Sequence, residues 1–251
     1  METSMPREFR ADDWQAYRMD YGNPHERVEP VQQEIAVVDA ALMELVDAGV
    51  LPHANYPADK MLAHRQGIAE TFEIPWTAIT HRQQRLIYAI NAIIQPRNMI
   101  AAGIFCGNTF VSNAGAGVGP GACYEAANLI GVEIKPEEAE RAERNVRRID
   151  PTGVARVVAA DARDVVREFP ADIHLLYLDA DGTDHRGKGI YYDILREAYH
   201  KMPRGAVVLA HNSVNSATAL VHYLEWVRDP ANMRASVNVI LDGEGLEVSA
   251  K

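Results

Sequence analysis

Cysteine is scarce in this chain: only Cys106 and Cys123 occur in 251 residues. That excludes a disulfide-stapled secreted scaffold and a structural four-cysteine zinc module. Excess positive charge is also missing. Acids number 35 against 25 bases, for a net charge of −10, which argues against a protein that holds nucleic acid by global charge. No apolar run reaches the roughly 18–20 residues of a membrane span; Leu86–Ile94 is broken by Asn91. The opening METSMPREFRADDW is polar and lacks the apolar centre of a signal peptide, so a cytoplasmic location is expected. Internal repeats and low-complexity tracts are absent too. What remains is ordinary for a globular protein: 47% apolar and 24% charged residues, in a chain long enough to bury a core unaided.

Two zones differ in pattern. The first, up to about residue 95, reads as helices. Val31, Ile35, Val38, Leu42 and Leu45 recur at spacings of three and four, which predicts a helix over 29–48 ended by Gly49. A second helix is expected over 58–72. A third runs from Thr80, its cap, to Ile94, with Leu86, Ile90 and Ile93 on the apolar side and Pro96 as the stop.

From Asn98 onward, short apolar runs alternate with amphipathic stretches. The runs are 99–102, 129–133, 155–159, 173–179 and 206–210; the helices between and after them cover 109–116, 136–149, 162–168, 191–201 and 215–227. Such alternation implies parallel pairing through right-handed crossovers. The tail breaks the pattern. Runs 235–241 and 246–249, joined by Asp242-Gly-Glu-Gly245, read as an antiparallel hairpin. The expected fold is α/β: a mostly parallel seven-stranded sheet with a C-terminal antiparallel hairpin, carried by residues 80–251, plus a helical N-terminal extension over 1–79.

In an open α/β sheet, ligands bind beyond the carboxyl ends of the strands. The residues after each run are therefore the informative ones. After the first comes Gly103-Ile-Phe105-Cys-Gly107, whose glycines admit close backbone approach. The second ends in Glu133, an acid able to accept both hydroxyls of a ribose. The third leads to Asp161-Ala162, where a carboxylate beside a backbone N–H can read an adenine edge. The fourth leads to Asp179-Ala-Asp181-Gly-Thr-Asp184-His185, and the fifth to His211-Asn212-Ser213. Each piece has a bland alternative: a turn glycine, a solvated strand end, a helix N-cap. In order, each at the end of its own strand, they define one nucleotide-shaped cleft.

These residues resemble the class I S-adenosylmethionine-dependent methyltransferases, in the flavour of the catechol and caffeoyl-CoA O-methyltransferases. The segments that carry the resemblance are 99–109, 131–137, 159–162, 176–181 and 205–212. It implies a Rossmann-like fold and S-adenosylmethionine as the cofactor. Gly103 and Gly107 would line its methionine part, with Phe105 on the same turn. Glu133 would bind the ribose, Asp161 and Ala162 the adenine, and Asp179 would sit beside the reacting centre. It also implies a divalent metal ion on Asp179, His211 and Asn212, and a homodimer. Three positions depart from the family: Ala101 replaces an acid, His211 an aspartate, and Gly182 the lysine base.

The expected reaction is methyl transfer to a small-molecule acceptor, most simply a hydroxyl oxygen, with no nucleic acid and no membrane involved. Without a metal, His211 becomes the better general base, since imidazole titrates near neutral pH. That variant admits nitrogen or carbon acceptors. His185 and Lys188 are second-choice bases on a solvated loop. A non-catalytic S-adenosylmethionine-binding regulator is the alternative from another class, motivated by Ala101 and His211. A dinucleotide oxidoreductase is a third reading, from Gly117, Gly119 and Ala122 in relaxed G-x-G-x-x-A spacing; but that stretch does not directly follow a strand, so it reads as a flexible helix end and loop. Cys106 is expected to be a buried filler. The aromatic and basic segment Trp14–Arg27 is expected to act as a lid, a subunit interface, or both.

Overall fold

The computed structural model describes residues 7–76, 79–183 and 185–251. Asp184 of the acidic loop lies outside them. In chain order the elements are β1 (Glu8–Arg10), α1 (Val31–Asp47), α2 (Ala58–Thr71), α3 (His81–Ile94), β2 (Asn98–Ala102), α4 (Asn108–Ala114) and β3 (Asn128–Glu133). Then follow α5 (Pro136–Ile149), β4 (Ala155–Ala159), α6 (Ala162–Glu168), β5 (Leu175–Leu178), α7 (Ile190–Ala198), β6 (Val207–His211), α8 (Val221–Arg228), β7 (Ala235–Ile240) and β8 (Leu246–Ala250).

The strands form one sheet in the order β1-β7-β8-β6-β5-β2-β3-β4. Only β8 runs against its neighbours, pairing antiparallel with both β6 and β7. The doubly wound sheet and the terminal hairpin match expectation. The eighth strand does not: β1, with Phe9 opposite Val239, adds a parallel edge beside β7. Three residues are too few to show a period, so the sequence pattern carries no trace of it.

Strand residues alternate between the two faces, as a pleated sheet requires. Met99, Ala101, Leu129, Leu175, Tyr177, Val207 and Leu209 belong to one core with α1, α3, α4 and α5. Ile100, Ala102, Ile130, Val132, Leu176, Leu178 and Val208 belong to the other, with α6, α7 and α8. The N-terminal helices share the first core: Val38, Leu42 and Leu45 pack in it together with Leu86 and Ile90.

Helix α3 is where the extension meets the sheet. Thr80 caps it, accepting from the Gln83 N–H at 3.3 Å. The sequence predicts a one-sided helix, yet every residue from His81 to Ile93 is buried. The polar face is covered because the N-terminal segment folds over it and supplies carboxylates. Arg82, fully buried, makes bidentate bonds to Asp13 (2.7 and 2.9 Å) and Glu29 (2.8 and 2.7 Å) and lies 3.8 Å from the Tyr17 ring centre. Arg85 and Arg65 share the buried Glu34 at 2.6 and 2.8 Å.

The glycine-rich stretch after α4 is a packing device. A Cβ at Gly115 would overlap the His64 imidazole, and one at Gly121 would crowd the His64 Cβ and Tyr88. The loop wraps this buried, uncharged ring. Burial pushes His64 down to about 4.

The Arg82 cluster generates a stability prediction. Arg82→Met keeps the volume but strands Glu29 without a cation, while the half-exposed Asp13 can reach water. Urea unfolding should register a loss of about 3 kcal/mol, the low end for breaking a buried ion pair. A change under about 0.5 kcal/mol would show that the extension is held by apolar packing alone.

Candidate active site

The carboxyl ends of β2, β3, β4, β5 and β6 open into one cleft of about 580 Å³, within the range of small-molecule sites. The tip of β2 sets its floor. Gly103 has φ +78, and a Cβ there would collide with the Ala180 backbone just beyond β5. Glycine is required by the neighbouring strand as well as by any ligand. Phe105 also adopts a left-handed conformation, φ 47. Its N–H donates to Glu133 Oε2 at 2.8 Å. The Lys135 N–H donates to Oε1 at 3.1 Å. Each oxygen of Glu133 is thus aimed by one backbone donor and keeps an unused lone pair.

Gly107 is placed differently from Gly103. It opens α4 with φ 93, and its missing side chain makes room for Ala142 of α5; the cleft lining passes it by. Asp161 and Ala162 do border the cleft. The Asp161 carboxylate is engaged, however. It caps α6 through the Arg163 N–H at 2.8 Å and pairs with the Arg163 guanidinium at 2.6 Å, which hold it below the usual carboxylate range. Cys106 is buried, and burial pushes its thiol up to about 11, the opposite of a nucleophile's requirement.

Asp179 and His211 meet at the far side of the cleft. His211 ends β6 and is 2% exposed. Its Nδ1 lies 3.4 Å from Asp179 Oδ2, close enough for an ion pair but not aligned as a hydrogen bond; Nε2 has no hydrogen-bond partner. Lys188 Nζ donates to Asp179 Oδ1 and to the Asp179 carbonyl, each at 2.8 Å. Tyr191 OH lies 3.4 Å from the same Oδ1. Burial favours the neutral form of Asp179, but His211 and Lys188 outweigh it and hold the carboxyl below its ordinary value. Burial likewise favours neutral His211, but the Asp179 charge wins and raises it.

Asn212 follows with φ 65, in the left-handed region. Its Nδ2 donates to Glu244 Oε2 at 3.0 Å. Among the described residues, no group of three or more His, Cys, Asp or Glu side chains is arranged to hold a metal ion. His185 is exposed on the loop after β5, outside the cleft lining. The sequence undervalued three lining residues. Lys188, expected on a solvated loop, has a side chain only 14% exposed. Glu244 sat unnoticed in a turn. Trp76, half exposed, covers Phe105 with ring centres 4.9 Å apart. The only early sign of Lys188 was a lysine between two glycines just ahead of an apolar helix. From the Trp14–Arg27 segment, Tyr21 reaches this region: its hydroxyl donates to Glu244 Oε1 at 3.3 Å.

Residues 100–213 match the family described as a methyltransferase domain. No curated protein sequence gives a significant match. Solved structures share the fold at low identity. An O-methyltransferase, TomG, from Streptomyces achromogenes is 18% identical with a TM-score of 0.58, over 76% of this chain and 88% of that one. An O-methyltransferase from Bacillus cereus is 16% identical with a TM-score of 0.57, over 77% and 91%. A Podospora anserina methyltransferase is 11% identical with a TM-score of 0.58, over 90% and 99%. No helix among the described residues is long and apolar enough to cross a membrane. Residues 100–213 are thus similar to a methyltransferase domain, and the chain shares its fold with solved methyltransferases.

Proposed function

We propose that the cleft at the strand tips transfers a methyl group to a hydroxyl oxygen of a small molecule, with Glu133 holding the ribose and His211 taking the proton. The observation that carries this reading is Glu133. Its two oxygens, fixed by the Phe105 and Lys135 N–H groups, have lone pairs left for two neighbouring hydroxyls. Ala162, at the start of α6, offers a first-turn N–H that the helix itself does not use. Gly103 and Phe105 complete the floor. Asp161 would have to leave Arg163 to read an adenine edge, so the Ala162 N–H is the better contact. S-adenosylmethionine bound here supplies a methyl group on a sulfonium, open to any nucleophile in line with it.

The protein's part is alignment and proton removal. Asp179 faces Nδ1 of His211, which fixes the proton there and leaves Nε2 as the acceptor. Nε2, buried and unpartnered at the cleft wall, takes the hydroxyl proton as the oxygen attacks. Asp179 then stabilises the imidazolium. Trp76 and Tyr21 support a capping role for residues 1–79 at the mouth of the cleft.

A divalent metal on Asp179, His211 and Asn212 fits poorly. Lys188 occupies Asp179 Oδ1, and His211 Nδ1 faces the carboxylate itself. The Lys188 ammonium already neutralises Asp179, and no step here runs through a metal.

Two measurements test the reading. Glu133→Gln removes a charged acceptor worth about 1.5–3 kcal/mol. Calorimetry should show S-adenosylhomocysteine binding weakened by about tenfold to a hundredfold; unchanged affinity rejects the assignment.

The pH dependence follows from the Asp179–His211 pair. His211 must be neutral to act, and its pKa is raised above 6.5, so kcat/KM with a phenol acceptor should climb as pH rises through that higher value. Asp179→Asn should move the rising limb to lower pH and reduce the plateau. The same shift has the opposite sign for stability. The pairing of His211 contributes fully below its unfolded pKa and is lost as pH rises through the folded one. A limb that stays in place in Asp179→Asn contradicts the pairing.

A further inference from the structure

The ammonium of Lys188 bonds Asp179, the carboxylate that the family resemblance assigns to a divalent cation. Lys188 precedes α7, on a loop closed by the Gly182 N–H to the Gly187 carbonyl at 2.9 Å. Gly187, at φ +52, lets the chain double back. The fold of this loop returns the lysine over the tip of β5. An ammonium has three N–H donors. Two go to Asp179, to Oδ1 and to the carbonyl, each at 2.8 Å. The third faces Asp181, whose nearer oxygen is 3.5 Å away and whose side chain is 72% exposed. That last contact is long and wet, so an entering acceptor oxygen can replace it at little cost.

Charge counting leads to the same place. Asp179 contributes one negative charge and Lys188 one positive charge, and His211 adds a further positive charge when protonated. A divalent ion bonding to Asp179 would have to displace the ammonium from Oδ1 or sit a few ångströms from it. Resting on the methyltransferase reading above, we propose that Lys188 is the catalytic cation of this enzyme: its third N–H bonds the acceptor oxygen, lowers the cost of the developing oxyanion, and makes methyl transfer independent of metal. The bookkeeping closes without a further reactant. The acceptor O–H bond breaks and its proton passes to His211 Nε2. The oxygen forms a bond to the methyl carbon while the carbon–sulfur bond breaks, and that electron pair stays on sulfur as the neutral thioether.

The test uses the full chain and three proteins: wild type, Lys188→Arg and Lys188→Met. Methyl transfer to a catechol is followed with and without EDTA and with added Mg²⁺ or Mn²⁺, and Mn²⁺ binding is titrated separately by calorimetry. The wild type should turn over equally under all metal conditions and show no Mn²⁺ binding below millimolar concentration. Lys188→Met should keep its affinity for S-adenosylhomocysteine and lose on the order of a hundredfold in kcat, the usual effect of removing one oxyanion donor. Lys188→Arg, which keeps the charge, should recover part of that loss. Turnover abolished by EDTA and restored by Mn²⁺, micromolar Mn²⁺ binding to the wild type, or a Lys188→Met variant as active as wild type would each overturn the proposal. Where no protein turns over but S-adenosylhomocysteine binds, the catalytic reading fails, and the Mn²⁺ titration still decides whether Asp179 is a metal ligand.

Discussion

A partly buried carboxylate at the end of a parallel strand keeps its charge best beside cationic partners, and Asp179 has Lys188 and the imidazole of His211. His211 arrives from β6, the next strand in the sheet, and Lys188 from the loop that follows Asp179 itself. Remove either and the balance against desolvation changes. The Asp179 charge raises His211, and His211 and Lys188 together hold Asp179 below its ordinary value. Chemistry and local architecture at this end of the cleft are therefore one problem. The loop is tied into the sheet by the charge it must neutralise.

The Glu133 end of the cleft rests on backbone rather than on charge pairs. Gly103 lets the β2 turn press against the backbone after β5, and Phe105 accepts a left-handed conformation so that its N–H can meet Glu133. The strain at Phe105 is held in place by the carboxylate bond and by Trp76 packed on its ring. Trp76 belongs to the N-terminal extension, and that extension is anchored by Arg82, Arg85 and Arg65 on their buried acids.

What the sequence made legible follows from period and position. Alternating strands and helices point to the sheet, and the acid at the end of Leu-Ile-Gly-Val-Glu133 points to the strand tip where we propose the ribose binds, because both signals are local. Asp179 and His211 were legible for the same reason: each ends its own strand. The rest depends on distant partners. Strand β1 is three residues long and exists through pairing with β7. The polar face of α3 reads as solvated until the acids of residues 13–34 fold over it. Gly107 looks equivalent to Gly103 but faces α5, and Asp161 looks available until Arg163 closes on it. Asn212 sits in the expected place, yet its amide donates to Glu244. Lys188 has the wrong spacing to stand for the absent lysine at Gly182 and reaches Asp179 only because glycines bend the loop back. A side chain's destination after a turn is a property of the turn, and no periodicity encodes it.

A crystal structure of the protein soaked with S-adenosylhomocysteine tests the account most directly. The account predicts the ribose hydroxyls on Glu133, the adenine beside Ala162, and the sulfur facing the Asp179–His211–Lys188 group. Density for the ligand away from the strand tips, or a ribose that leaves Glu133 untouched, would contradict it.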